Sequence, residues 1–254
     1  MDRKTYMKEI YSTYWSTARE KIYGFLDYDK NLCNYICDKI PRNGELLEIA
    51  IGTGYPFADF FQKTGYTVYG IDISPDLIEK CKQLYPNIHC KVGDAEELDY
   101  PDSKFDCTYC IHSSWLFPDL NKAIDEMLRV TRPGGLVIFD LQNRNNPDID
   151  ESYRKNLFKN SWIGKGIRVF KNIGIVILHR GKPNWIFVVH EVPTYPESIY
   201  EYIEKNHVSD IQILVKREDE SLEIKKELCS FKDYPRLVFV LKKNNPNLLN
   251  QAGS

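Results

Sequence analysis

The sequence predicts an α/β fold: a doubly wound, mostly parallel sheet of seven strands with an antiparallel last strand, two amino-terminal helices and a β-hairpin insertion after strand five. Three observations carry this. From Gly44 to Leu141, short runs rich in Ile, Val and Leu alternate with helical patterns, which is how parallel strands joined by crossover helices read. Each strand–helix unit is roughly 20 to 30 residues long, as a right-handed βαβ crossover requires. After Leu141 the rhythm breaks into β-rich segments separated by turn signals.

The elements follow in order. In the first forty residues Met7, Tyr11, Tyr14, Trp15 and Ala18 recur at helical intervals, and so do Leu32, Tyr35, Ile36 and Ile40, where Pro41 stops the second helix. "ELLEIAI" is the first strand, and a helix runs from Tyr55 to Lys63 with Pro56 in its first turn. "TVYGIDI" is the second strand, and Ser74 and Pro75 supply the N-cap and first position of the next helix. "NIHCKVG", "KFDCTYCIH" and "LVIFDL" are strands three to five, the last reached through the helix "DLNKAIDEMLRVT" and an "RPGG" turn. "DESYRKNLFKN" reads as a helix, and "IRVFKNIGIVILH" and "WIFVVHEV" as a hairpin around "RGKPN". A helix "ESIYEYIEKNH" and strands "DIQILVKR" and "RLVFVLKK" follow, then a polar tail.

Composition narrows the function. At 254 residues and 43% hydrophobic the chain can bury a full core as one domain. No apolar run approaches the roughly 20 residues that span a bilayer, and the polar, aromatic start lacks the apolar centre of a secretory signal. Seven irregularly placed cysteines fit a reducing compartment, so a cytoplasmic protein is expected. Cys107 and Cys110 have redox spacing, but in a strand residues three apart face opposite sides, so both are expected in the core. A net charge of -2 argues against a dedicated nucleic-acid binder. A local basic stretch exists all the same: residues 154–182 carry eight Lys or Arg and no Asp or Glu.

The segment most informative about function is "GELLEIAIGTGYP". A phosphate-binding loop needs a lysine just after its glycines, and none follows Gly54 before Lys63. A dinucleotide turn needs a third glycine where this chain has Phe57. Glu48 to Gly54, "EIAIGTG", resembles the first motif of the class I S-adenosylmethionine-dependent methyltransferases, and the resemblance continues in register. "TVYGIDIS" ends its strand at Asp72, "VGDAEEL" places Asp94 and Ala95 after the third strand, and "FDCTYCIHS" and "EMLRVTRPGGLVIFD" match the fourth strand and the approach to the fifth. It covers roughly residues 44–140. Ala50 departs from the pattern, replacing the motif's first glycine.

The resemblance implies S-adenosyl-L-methionine as methyl donor and S-adenosyl-L-homocysteine as product. It implies cofactor contacts from Glu48, Ala50, Gly52, Gly54, Asp72, Ile73, Asp94, Ala95, His112 and Tyr14. Asp72 matches the acid that binds the ribose hydroxyls, and Asp94 and Ala95 the adenine site. It divides the chain into an amino-terminal helical cap (1–43), a cofactor-binding half (44–141), an insertion or lid (142–195), a carboxy-terminal helix with the last two strands (196–243) and a tail (244–254).

Methyl transfer from a sulfonium needs alignment, and a base only where the nucleophile must lose a proton. His112, at the end of the fourth strand, is the candidate base, since imidazole titrates near neutrality. Tyr11, Trp115, Asn143 and Arg144 are candidate substrate contacts, and no metal is expected because "HSSW" offers no carboxylate partner for Asp140. The expected acceptor is a small molecule, with oxygen favoured over an amine nitrogen and an anionic one favoured by the basic stretch. A non-catalytic cofactor-binding module and an RNA-modifying enzyme are the competing readings.

Overall fold

The structure, a computed structural model, describes residues 3–8, 24–161, 163, 192–205, 208–225 and 231–245. The expected hairpin over 167–192, except Val192 at its end, lies with Tyr11, Tyr14 and Trp15 outside the described residues.

A short helix, α1 (Arg3–Tyr6), comes first, and α2 (Asp27–Cys37) buries Tyr28, Asp29, Leu32, Cys33 and Ile36 on one face. The alternating units then form β1 (Glu45–Ile49), α3 (Phe57–Lys63), β2 (Thr67–Asp72), α4 (Pro75–Leu84), β3 (His89–Val92), β4 (Phe105–Cys110), α5 (Leu120–Val130) and β5 (Thr131–Gln142). α4 starts as its sequence dictates: the Ser74 side chain accepts from the Leu77 amide at 3.3 Å, with Pro75 in the first turn. α5 is capped by Asp119 and seats Ala123, Ile124, Met127 and Val130 on the sheet. Truncating a side chain as buried as Met127 costs about 2–5 kcal/mol. The chain closes with α6 (Pro147–Asn160), α7 (Pro196–Glu204), β6 (Val208–Lys216), β7 (Leu222–Lys225) and β8 (Arg236–Lys243).

Among the described residues the sheet has eight strands, not the expected seven, in the order β3-β2-β1-β4-β5-β8-β6-β7. β1 to β5 are parallel; β8 runs antiparallel between β5 and β6, with Phe139 opposite Phe239 and Leu214 opposite Val238. The added strand is β7, whose charged "LEIK" pairs antiparallel with the end of β6. β5 begins earlier than expected, at Thr131, because the "RPGG" segment continues the strand instead of ending before it.

Alternation along the strands divides the core into two layers. Leu46, Cys107, Tyr109, Ile138 and Val240 face α2 and α3, while Leu47, Cys110, Phe139, Phe239 and Leu241 lie on the opposite face with α5. Cys107 and Cys110 are both fully buried, one in each layer, as strand geometry requires. Among the described residues no helix is long and apolar enough to cross a membrane.

Candidate functional site

The strand order reverses between β1 and β4, and in an open α/β sheet that reversal opens a crevice at the carboxyl ends of the strands. A cleft of about 940 Å³, counting solvent at its mouth, lies there. Its floor is built from the turn after β1 (Ala50, Gly52), the end of β2 (Asp72, Ile73), the loop after β3 (Asp94, Ala95) and His112 after β4.

The turn after β1 has positive φ at Ala50 (59°), Gly52 (59°) and Gly54 (89°). A Cβ added at Gly52 would meet nothing within 4 Å, so this backbone borders open space. Gly54 serves packing instead, since a Cβ there would stand 2.8 Å from the Tyr85 ring and 3.0 Å from Cys81 Sγ. Its missing side chain lets the turn pack against α4, and Gly54 does not line the cleft. Ala50 does line it, and holds a left-handed conformation that costs an L-residue roughly 1 kcal/mol.

Asp72 is 7% exposed; Oδ2 accepts from the Gly52 amide at 2.9 Å and Oδ1 from the Ser74 amide at 2.9 Å. Burial pushes its pKa up to about 6, although the Ser74, Gly52 and Ile73 amides pull the other way. Asp94 Oδ1 accepts from the Glu96 amide, and Oδ2 pairs with Lys4 Nζ at 2.6 Å. Burial opposes ionisation of Asp94, but the Lys4 and Glu96 contacts outweigh it and hold its pKa below the ordinary value. Lys4 also reaches Glu96 at 2.8 Å, so α1 is pinned across the cleft mouth.

His112 has a φ of 63°, fixed from below by Asp140, whose two oxygens each accept from the His112 amide at 3.0 Å. The ring nitrogen Nε2 lies 3.1 and 3.2 Å from the two oxygens of Asp29 on α2, and 3.3 Å from Arg236 Nη1 on β8. Nδ1 is 4.0 Å from Asp140 Oδ2, beyond hydrogen-bond reach. Arg236 Nε stands 2.6 Å from Asp140 Oδ2 as an ion pair, without the alignment of a hydrogen bond, and its Nη2 is buried with no hydrogen-bond partner among the described residues. Burial, then the Arg236 charge, lower the His112 pKa against the pull of Asp29 and Asp140, which favours the neutral imidazole.

The structure therefore brings Ala50, Gly52, Asp72, Ile73, Asp94, Ala95 and His112 to one cleft, and among the described residues not Glu48, Gly54, Trp115, Asn143 or Arg144. Glu48 is buried beneath the turn, where its Oε2 accepts from Tyr109 Oη at 3.0 Å. Asn143 is fully buried and its Nδ2 donates to the carbonyls of Phe231 and Tyr234, joining β5 to the segment before β8. Arg144 pairs with Asp150 and lies between the rings of Tyr153 and Tyr195, so it fastens α6 to α7. Trp115 packs edge-on against His112, 6.4 Å between ring centres, outside the cleft lining. Tyr11 and Tyr14 lie outside the described residues. Asp29 and Arg236, the partners of His112, went unpredicted; they are 83 and 124 residues away from it and carry no local motif.

A nucleoside cofactor with a methionine end fits these residues. Two carboxylates at successive strand ends suit a ribose diol and an adenine amine, and the open face at Gly52 lets backbone approach the methionine portion. The comparisons agree. Residues 47–139 match the family described as "Methyltransferase domain". Malonyl-[acyl-carrier protein] O-methyltransferase of Serratia marcescens is 34% identical over 96 residues, 37% of this chain and 37% of that protein. The 2-methyl-6-phytyl-1,4-hydroquinone methyltransferase of Synechocystis is 31% identical over 116 residues, 44% of this chain and 36% of that one. The aligned segment thus spans little more than a third of these relatives. A solved S-adenosylmethionine-dependent methyltransferase from Thermotoga maritima superposes over 96% of this chain and all of its own, with a TM-score of 0.60 at 16% identity, a likeness of fold. Residues 47–139 thus match the methyltransferase-domain family, and the sheet around them has the fold of a solved S-adenosylmethionine-dependent methyltransferase.

Proposed function

We propose that the protein transfers a methyl group from S-adenosylmethionine to a heteroatom of a small molecule, and that His112 accepts the proton the acceptor gives up. The observation that carries this is the placement of a neutral imidazole, flanked by two carboxylates, in the same cleft as Asp72 and Asp94. Bound S-adenosylmethionine supplies an activated methyl on a sulfonium. Asp72 would hold the ribose hydroxyls, Asp94 and Ala95 the adenine end, and the Ala50–Gly52 backbone the methionine end.

The remaining chemistry belongs to the chain. We assign Nε2–H as the donor to the Asp29 carboxylate, which can only accept, and this tautomer leaves the lone pair on Nδ1. That nitrogen has no hydrogen-bonded partner among the described residues, with Asp140 4.0 Å away, and a proton arriving there makes an imidazolium facing two carboxylates. Asp140 also sets the left-handed backbone that aims the ring. Leu116 and Phe117 wall the cleft against water.

The relatives are named for a malonyl group carried on an acyl-carrier protein and for a hydroquinone, both small acceptor groups bearing oxygen. That supports the small-molecule class and leaves the acceptor atom to experiment. The test is His112→Asn, because asparagine tolerates the left-handed backbone. Turnover should fall by about 10²–10⁴ with S-adenosylhomocysteine affinity retained; full turnover in the variant would remove His112 from the chemistry.

A further inference from the structure

Among the described residues that line the cleft, Lys4 is the one lysine or arginine. It comes from α1 and sits on two acids of the loop after β3. Its Nζ is 2.6 Å from Asp94 Oδ2 and 2.8 Å from Glu96 Oε2. The acids are themselves held in place. Asp94 Oδ1 accepts from the Glu96 amide at 3.0 Å, and Glu96 Oε1 accepts from the Asp119 amide at 2.8 Å, just before α5. Met7, from the same amino-terminal segment, also lines the cleft, and so do Phe117 and Pro118. Asp94 is the acid that the proposed function gives to the adenine end, so the ammonium stands beside the place where the base would dock.

A bound adenine must either displace this ammonium or share Asp94 with it. Charge favours sharing. Without Lys4, two carboxylates close enough to hold one ammonium would face each other, and the Glu96 side chain is only 8% exposed. A neutral amine cannot offset that repulsion. The ammonium is held firmly: burial opposes its charge, but the contacts with Asp94 and Glu96 outweigh burial and raise the Lys4 pKa. Asp94 also has room for a further donor. Each carboxylate oxygen has two lone pairs, and among the described residues each oxygen of Asp94 has spent one. The ammonium has capacity too, because Asp94 and Glu96 take two of its three N–H groups and the third has no partner among the described residues. Adenine offers the matching pattern: an amine that donates, flanked by ring nitrogens N1 and N7 that accept. An acid beside an ammonium meets a donor beside an acceptor.

We infer that Lys4 is a specificity-determining residue of the cofactor site: its ammonium stays on Asp94 and Glu96 and gives its remaining N–H to a ring nitrogen of adenine next to the amine. This rests on the methyltransferase reading. The amino-terminal segment is then part of the site rather than a cover over it, with Asp94 and Lys4 reading the amine and its neighbouring nitrogen as a pair.

The test is calorimetry on the full chain with S-adenosylhomocysteine and its 1-deaza and 7-deaza forms, each of which replaces one ring nitrogen by C–H. Wild type should bind one of the two deaza forms about tenfold more weakly than the parent. Lys4→Met should lose about tenfold for the parent and almost nothing further for that deaza form, because both changes remove the same bond. Glu96→Gln keeps the acceptor for the Asp119 amide but loosens the ammonium. It should weaken the parent severalfold and spare the same deaza form, which keeps the test valid if the Lys4 variant folds poorly. A Lys4→Met variant that binds S-adenosylhomocysteine as tightly as wild type, or more tightly, would overturn the inference, since the ammonium would then only obstruct the site. An equal loss in Lys4→Met for the parent and both deaza forms would overturn it too, since Lys4 would then touch neither nitrogen. In either case wild type still binds S-adenosylhomocysteine and this inference alone fails. If wild type binds none of the three, the methyltransferase reading falls with it.

Discussion

Under the proposed function, Asp72 should make cofactor affinity depend on pH. Its carboxylate is buried at the base of the cleft with a pKa pushed up to about 6, against an ordinary 3.8. The sign follows from linkage. An acid whose folded pKa lies above its unfolded value destabilises the ligand-free fold only once it must ionise. The penalty is absent below about pH 4, grows as the pH rises through about 6, and reaches about 3 kcal/mol, an order-of-magnitude figure. A ribose diol donating to the ionised carboxylate favours the charged form, so ligand binding expels the proton Asp72 holds at low pH. S-adenosylhomocysteine should therefore bind about tenfold more weakly at about pH 5 than at about pH 7.5. Calorimetry in two buffers of different ionisation enthalpy should find close to one proton released per site at the lower pH and almost none at the higher. Asp72→Asn should abolish this proton release, which separates Asp72 from His112. A flat pH profile in the wild type, or the same proton release in Asp72→Asn, would refute the reasoning.

Other consequences can be measured on the same preparations. Ala50→Gly relieves a left-handed alanine and should raise stability by about 0.5–1 kcal/mol in a denaturant melt, with S-adenosylhomocysteine binding retained. Gly54→Ala should lower it by about 2 kcal/mol or more, because positive φ and the Tyr85 ring at 2.8 Å both oppose a methyl. Tyr28→Phe, which removes a buried hydroxyl without a partner, should leave the melting temperature of the free protein unchanged or raise it, corresponding to about 1 kcal/mol. Cys107 and Cys110 should resist a thiol reagent in the native state and react only after unfolding, since neither is exposed and burial raises the Cys107 pKa.

Much of the fold was legible because the physics that builds it is local. Ser74 followed by Pro75 announces a helix start, and the buried runs of β1, β2, β4 and β5 have no other use in a chain of this length. β7 escaped because "EDESLEIKKE" has the composition of a solvated loop; an edge strand with charged neighbours is how a sheet avoids pairing with another molecule, and it looks polar for that reason. The residues that line the cleft were readable for the same local reason, with each acid at a strand end. What escaped was division of labour. Spacing cannot tell that Gly52 leaves space for a ligand while Gly54 leaves space for Tyr85. Nor can it tell that Asn143 and Arg144, which leave β5 toward the crevice, are consumed in fastening loops. The partners of His112 come from α2 and β8, and only the closed sheet brings Asp29 and Arg236 to the same imidazole.

The central claim is that this cleft holds S-adenosylmethionine through Asp72. Calorimetric titration of S-adenosylhomocysteine into wild type and Asp72→Ala tests it most directly, and needs no knowledge of the acceptor. The account predicts one saturable site in the wild type and a loss of at least about a hundredfold in the variant, the effect of removing an acceptor of two charge-assisted hydrogen bonds. A wild-type protein that binds no S-adenosylhomocysteine at millimolar concentration, or an Asp72→Ala variant that binds it equally well, would contradict it.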